Sequence, residues 1–135
     1  LSSQANNTFP IQNIIIKHQQ DKIDVVRAEI EQNGGRAIAI AADVSNFEEA
    51  TKLVHACIEQ CGKLDYLINN VGISSRGNIA QLHPDVLSQV FNSNVNGCIF
   101  PTQIALPHIR LQKGSIIFIS SLAAIHGLPG LAPYS

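Results

Sequence analysis

The stretch "LDYLINNVGI", Leu64 to Ile73, decides the fold. Its first half is a short apolar run of the kind that forms a buried strand. At Asn69 and Asn70 it turns polar and at Gly72 permissive, so the strand passes into a loop, "NVGISSRGN". Upstream lies "NFEEATKLVHACIEQCG", a predicted helix with Ser45 or Asn46 as its cap and Glu48 and Glu49 in its first turn. Its apolar stripe runs through Leu53, Val54, Cys57, Ile58 and Cys61, and Gly62 closes it. Downstream, a long helical pattern opens at Pro84 and closes at Gly114, with a kink or break expected at Pro101.

The same alternation extends to both ends. "NIIIK" (Asn13 to Lys17) and "RAIAIAA" (Arg36 to Ala42) read as strands. Between them, "DKIDVVRAEIEQN" (Asp21 to Asn33) spaces Ile23, Val26, Arg27 and Ile30 as a helix does, and Gly34-Gly35 stops it. "SIIFIS" (Ser115 to Ser120) is the fourth strand; loop follows as far as Pro133, a favourable first-turn residue for another helix. Strands separated by helices of this length imply crossovers and a parallel α/β sheet. In such sheets ligands bind beyond the carboxyl ends of the strands. Polar residues collect at those ends: Lys17 and His18, Asp43, Asn69 and Asn70, Ser120 and Ser121. Four polar strand ends in succession favour a binding site.

Composition narrows the partners. The chain has 135 residues, enough for a single domain, and its 45% apolar content supports a real core. A net charge of −1 with mixed signs argues against a nucleic-acid or membrane-surface partner, which needs a basic face. There is no apolar run of membrane-spanning length and no secretory signal pattern, so a cytoplasmic location is expected. The three cysteines read as small apolar residues in a reducing compartment, and no metal site is expected. Asn6-Asn7-Thr8 matches a glycosylation sequon, read as chance without a secretory signal. Methionine is absent even from position 1, which predicts a piece of something longer or a chain processed at both ends.

Four segments, in order, resemble the short-chain dehydrogenase/reductase family: "DVS" after the second strand, "LDYLINNVGI", "NSNVNG", and "GSIIFISSLAAIHGLPGLAPYS". The likeness covers nearly all of the chain from Asn13 onward. "NNVG" departs from the family's usual "NNAG" only at Val71. The resemblance implies an incomplete Rossmann-like, doubly wound parallel sheet, with residues 1–135 as one partial NAD(P)-binding domain. Residues 1–12 would then be a poorly ordered segment or the tail of a preceding helix.

The resemblance also assigns roles. Ser121 and Tyr134, thirteen residues apart, match the family's catalytic pair, and Asn94 matches the Asn that holds a water in the proton relay. Asp43 and Val44 match residues beside the adenine, and Asn70, Val71 and Gly72 the turn under the cofactor. Plainer roles stay open: Asn94 as a bond to the backbone of a kinked helix, Asp43 as a turn former. The implied reaction moves a hydride between nicotinamide and a carbonyl or secondary alcohol. A tyrosine would give or take the proton at oxygen, and a serine would steady the developing charge.

Lys17 and His18 at the end of the first strand, where NAD-specific relatives place a carboxylate, favour NADP(H) over NAD(H). The family's glycine-rich turn and the Lys four residues after its Tyr are not in this sequence. Little turnover and very weak cofactor binding are therefore expected of residues 1–135 alone. The alternative is a non-catalytic homologue serving as an interaction or dimerisation module; the parent would be a homodimer or homotetramer acting on a small carbonyl or alcohol.

Substrate contacts are expected from Ile73 to Gly77 and His126 to Leu131, with His126 either touching substrate or solvated. The family's first strand lies at the sheet centre, so two strand pairs are expected. They would stay apart, each with a bare apolar edge, or close through Asn13–Lys17 on Leu64–Asn69.

Overall fold

The computed structural model describes residues 12–17, as backbone, and 20–135. They order as β1 (Gln12–Lys17), α1 (Gln20–Gln32), β2 (Arg36–Ala41), α2 (Phe47–Cys61), β3 (Tyr66–Asn69), α3 (Pro84–Phe91), α4 (Gly97–Gln112), β4 (Ser115–Phe118) and α5 (Ala123–His126). A 3-10 turn, Ile79–Gln81, precedes α3, and a π-helical segment, Asn92–Asn96, joins α3 to α4. Apart from Gln12, which opens β1, the expected N-terminal segment 1–12 lies outside the described residues. His18 lies outside them too.

The chain divides into two compact units, 1–42 and 43–135. In the first, β1 and β2 pair in parallel from Gln12 opposite Arg36 to Lys17 opposite Ala41. α1 packs on this pair and buries Ile23 completely. Its end follows the expected glycine pair: Gly34 takes a left-handed φ of 81°, and Gly35 donates to the Ile30 carbonyl at 2.9 Å. A left-handed residue at that point strains any side chain, which explains the glycine.

In the second unit β3 and β4 pair in parallel, Tyr66 opposite Ser115 through Asn69 opposite Phe118. The described strands thus form two two-stranded parallel sheets, without pairing of β1 to β3. One face of the β3/β4 pair holds Leu67 and Ile116, which join Ile58, Leu64 and Ile104 around Val54, Ala105 and Ile109. The other face is bare, with Ile68 59% and Ile117 43% exposed. α2 is capped as expected: the Asn46 side chain accepts from the Glu48 and Glu49 amides, and Gly62 is left-handed at its end. Phe47 meets Phe100 of α4 edge-on, ring centres 5.4 Å apart.

Three details differ from the sequence reading. No break occurs at Pro101. It is buried on the second turn of α4, where its missing donor frees only the Gly97 carbonyl. The irregularity falls instead at Asn92–Asn96, where the Gly97 amide reaches back five residues to the Asn92 carbonyl. At the other end of α4 the left-handed residue is Lys113, φ 53°, rather than Gly114. Gly114 is needed for a different reason: a Cβ there would overlap the Asp65 carbonyl oxygen, which accepts the Ser115 amide as β4 joins β3. Finally, "AAIH" forms a short helix, α5, within the expected loop.

All three cysteines are free, and among the described residues no group of three or more His, Cys, Asp and Glu gathers to hold a metal. No helix of the described residues is long and apolar enough to cross a membrane. Burial, with Cys61 beside it, lifts the Cys57 thiol from 9.0 to about 11. Because the folded state holds this proton more tightly, its stabilising contribution is complete below pH 9.0 and lost as pH rises through about 11. Thiol titration at pH 8 should label Cys61 well before Cys57, and equal rates would contradict the burial. Gly114→Ala should cost about 1–3 kcal/mol or more in urea unfolding, because backbone must move to admit the methyl. An unchanged midpoint would contradict the close approach to Asp65.

Candidate functional site

The site grows from the end of β3. Asn69 is buried, and its amide nitrogen donates to Thr102 Oγ1 on α4 at 2.9 Å while its carbonyl accepts from the Ile119 amide at 2.9 Å. One residue therefore ties β3 to α4 and carries the β3/β4 pairing past the formal end of β4. Asn70, Val71 and Gly72 then turn away from the sheet, and the turn is caught by Asn94. The Asn94 Oδ1 accepts from the Ile73 amide at 2.8 Å, and its Nδ2 donates to the Ile73 carbonyl at 2.9 Å. A side-chain amide here does what a neighbouring strand would do for a peptide group.

Opposite this turn, the chain leaves β4 through Ser120 and Ser121. Ser121 stands two residues before α5 and turns the chain into it: its Oγ accepts from the Ala123 amide at 3.2 Å, and its carbonyl accepts from the Ala124 amide at 3.1 Å. That use of Oγ occupies a lone pair and leaves the hydroxyl proton for a second partner. The loop after α5 is anchored by Gly77, whose amide donates to the Gly130 carbonyl at 2.9 Å. It ends in a turn where the Leu131 carbonyl accepts from Tyr134 and Ser135, the latter with the four-residue reach of a helix. Leu131 is buried beneath it.

These loops enclose a cavity of about 370 Å³. Asn70, Val71, Gly72, Asn94, Ser121 and Tyr134 all line it, together with Ile73, Ser74, Cys98, Ile119, Ser120 and Ala124. The two residues expected as a catalytic pair therefore share one cavity with the turn expected under the cofactor. Of the expected substrate-side residues, Ile73 and Ser74 line it; His126 is exposed and does not.

Val44 and Asp43, of the same unit, do not line the cavity. Val44 is buried, 3.7 Å from where a Cβ on Gly97 would stand, with Val71 at 3.5 Å on the same point. Asp43 does form a turn: its Oδ1 accepts from the Ser45 amide at 2.9 Å and the Ser45 hydroxyl at 2.6 Å. Lys17 ends β1.

Sequence reasoning gave no site role to Cys98, Asn92 or Ser45. Cys98 sits four residues after Asn94, a spacing that places it on the same helical face, and burial raises its thiol pKa. Asn92 donates from Nδ2 to Ser45 Oγ at 3.1 Å, a contact that no local pattern announces.

The family model of the short chain dehydrogenases matches residues 8–135. The chain belongs to that family of oxidoreductases. It is 37% identical over 119 residues to a versicolorin reductase of Emericella nidulans, covering 87% of this chain and 45% of that protein. To a 3-oxoacyl-[acyl-carrier-protein] reductase of Synechocystis it is 33% identical over 125 residues, covering 90% and 51%. The crystal structure of an NADH-dependent reductase of alginate metabolism superposes with a TM-score of 0.82 at 25% identity, covering 90% of this chain and 53% of that one. The chain spans about half the length of the curated relatives it matches. The Rossmann-like α/β class read from the sequence is thus the fold of the family.

Asn94→Ala should remove both bonds to Ile73, at a cost of about 1–3 kcal/mol. Amide hydrogen exchange at Ile73 should accelerate at least tenfold while exchange in β4 stays slow. Unchanged protection at Ile73 would show that the turn holds itself.

Proposed function

We propose that the protein containing this chain transfers a hydride between a nicotinamide dinucleotide and a small carbonyl compound or secondary alcohol. The observation that carries this reading is the shared cavity: Ser121 and Tyr134, thirteen residues apart, face the same space as the turn Asn70–Gly72. A cavity of about 370 Å³ with polar groups on two sides suits one ring of a cofactor and a small substrate. The nicotinamide supplies or accepts the hydride. The residues of this chain do the rest. Tyr134 gives a proton to the carbonyl oxygen, or takes one from the alcohol. Ser121, whose hydroxyl proton is not needed by α5, donates to the same oxygen and steadies its negative charge. Asn94 bonds Ile73 through both side-chain polar atoms, so it shapes the turn, and it is the residue we assign to hold a water of the proton relay. Asp43 and Val44 take the adenine end, and Lys17 with His18 the 2′-phosphate of NADP(H), the favoured cofactor.

In the full-length protein, Tyr134→Phe should lower the rate of NADPH oxidation with a panel of small ketones by about 10²–10⁴-fold, and Ser121→Ala by about 10²–10³-fold. NADPH binding should persist in both variants. Full activity in Tyr134→Phe would sink the assignment. Lys17→Glu should turn a preference for NADPH into one for NADH; if NADH is preferred by the unaltered protein, the cofactor reading fails.

A second reading has its own observation. Leu87, Phe91, Val95 and Ile99 recur every four residues along α3, the π segment and α4, and each is 40–56% exposed. A row of large apolar side chains of this kind marks an interaction surface. We infer that it packs against a second copy in a homodimer or homotetramer. Phe91→Asp should lower the mass measured by light scattering to that of a monomer; an unaltered protein that is already monomeric would remove this reading.

A further inference from the structure

The π segment touches a second loop besides the one held by Asn94. Residues two apart on a helix leave it on different sides, so Asn92 points away from the Ile73 turn and meets the loop after β2. There a line of side chains forms. Asn96 Nδ2 donates to Asn92 Oδ1 at 2.8 Å, Asn92 Nδ2 donates to Ser45 Oγ at 3.1 Å, and Ser45 Oγ donates to Asp43 Oδ1 at 2.6 Å. Every donor points the same way, toward the carboxylate. Such a line polarises each successive hydroxyl or amide and strengthens the last bond. The bond from Asn96 also settles which way the Asn92 amide is turned, because its oxygen must face Asn96 and its nitrogen Ser45. At the far end, the Asp43 amide is held by Glu49 Oε2 at 2.7 Å and Oδ1 by the Ser45 amide as well. Fixing Oδ1 fixes the plane of the carboxylate and hence the direction of its second oxygen.

We propose that Asn92, acting through Ser45, is a positioning residue that sets the Asp43 carboxylate for recognition of the 6-amino group of the adenine ring. The inference rests on the reading of Asp43 as an adenine-end residue and adds to it the source of its orientation. It also gives the π segment two tasks. From one distorted turn, Asn94 holds the loop after β3 and Asn92 holds the loop after β2. The two ends of a dinucleotide site are thereby set by the same five residues. The bond from Asn92 lies at the surface, so its effect is a matter of severalfold rather than of all or nothing.

The test uses the full-length protein and two cofactors: NADPH, and nicotinamide hypoxanthine dinucleotide phosphate in its reduced form, which carries an oxygen where adenine has the amino group. Binding is measured by cofactor fluorescence without substrate, and the readout is the ratio of the two dissociation constants. Asn92→Asp keeps the oxygen that Asn96 needs, removes the donor to Ser45 and adds a negative charge. Ser45→Ala breaks the line at its centre. Both should lower the preference for the amino-bearing cofactor about threefold to tenfold. The added charge of Asn92→Asp acts equally on both cofactors and cancels in the ratio. An unchanged ratio in both variants, with Asp43→Ala abolishing the preference, would overturn the role of Asn92 alone. An unchanged ratio in Asp43→Ala would overturn the adenine role of Asp43, and the inference with it. Should Asn92→Asp fail to fold by circular dichroism, Ser45→Ala decides.

Discussion

The paired hydrogen bonds between the Asn94 amide and the Ile73 peptide are the constraint on which the site depends. The loop after β3 has to leave the sheet, pass close to α4 and return, and a loop of that kind has backbone groups with no ladder to join. Asn94 satisfies the backbone donor and the backbone acceptor of one residue at once, at 2.8 and 2.9 Å. Each such bond contributes only about 0.5–1.5 kcal/mol net. Their importance lies in geometry: two bonds to one residue fix the orientation as well as the distance. The turn Asn70–Gly72 is thereby held at the cavity that Ser121 and Tyr134 also line.

Placing Asn94 there requires the helix to deviate. In the π segment the Gly97 amide bonds five residues back rather than four, which shifts the register between α3 and α4. Distorted turns of this kind tend to survive where their geometry is used. Here three asparagines, Asn92, Asn94 and Asn96, each have a side-chain partner. Asparagine is short enough to reach adjacent backbone and carries both donor and acceptor, so it suits a segment whose neighbours are loops.

The pairing of β3 with β4 explains why one apolar face remains open. β3 and β4 offer Leu67 and Ile116 to the core with Ile109, yet leave Ile68 and Ile117 on the opposite face. Strands fed by helices on both sides are apolar on both faces, and a two-stranded pair packed on one side leaves the other exposed. The curated relatives extend over about twice the length of this chain.

The sequence by itself determined the order and kind of most elements, because their signals are local. The Asn46 cap, the Gly34 and Gly62 stops and the runs "NIIIK" and "SIIFIS" act within a few residues, and the structure follows them closely. The candidate site was legible for another reason: Ser121, Tyr134, Asn94 and Asn70–Gly72 stand in a recognisable order, and all of them line one cavity. What tertiary structure alone decided depends on contacts between distant residues. Pro101 signalled a break by its chemistry, but the deviation went to Asn92–Asn96, where Ile73 and Ser45 reward it. Gly114 closes α4 as its sequence suggested, its amide donating to the Ile109 carbonyl, but it is the approach of the Asp65 carbonyl that excludes a side chain there. The link from Asn92 to Ser45 spans 47 residues of sequence, and no local propensity encodes a bond at that distance.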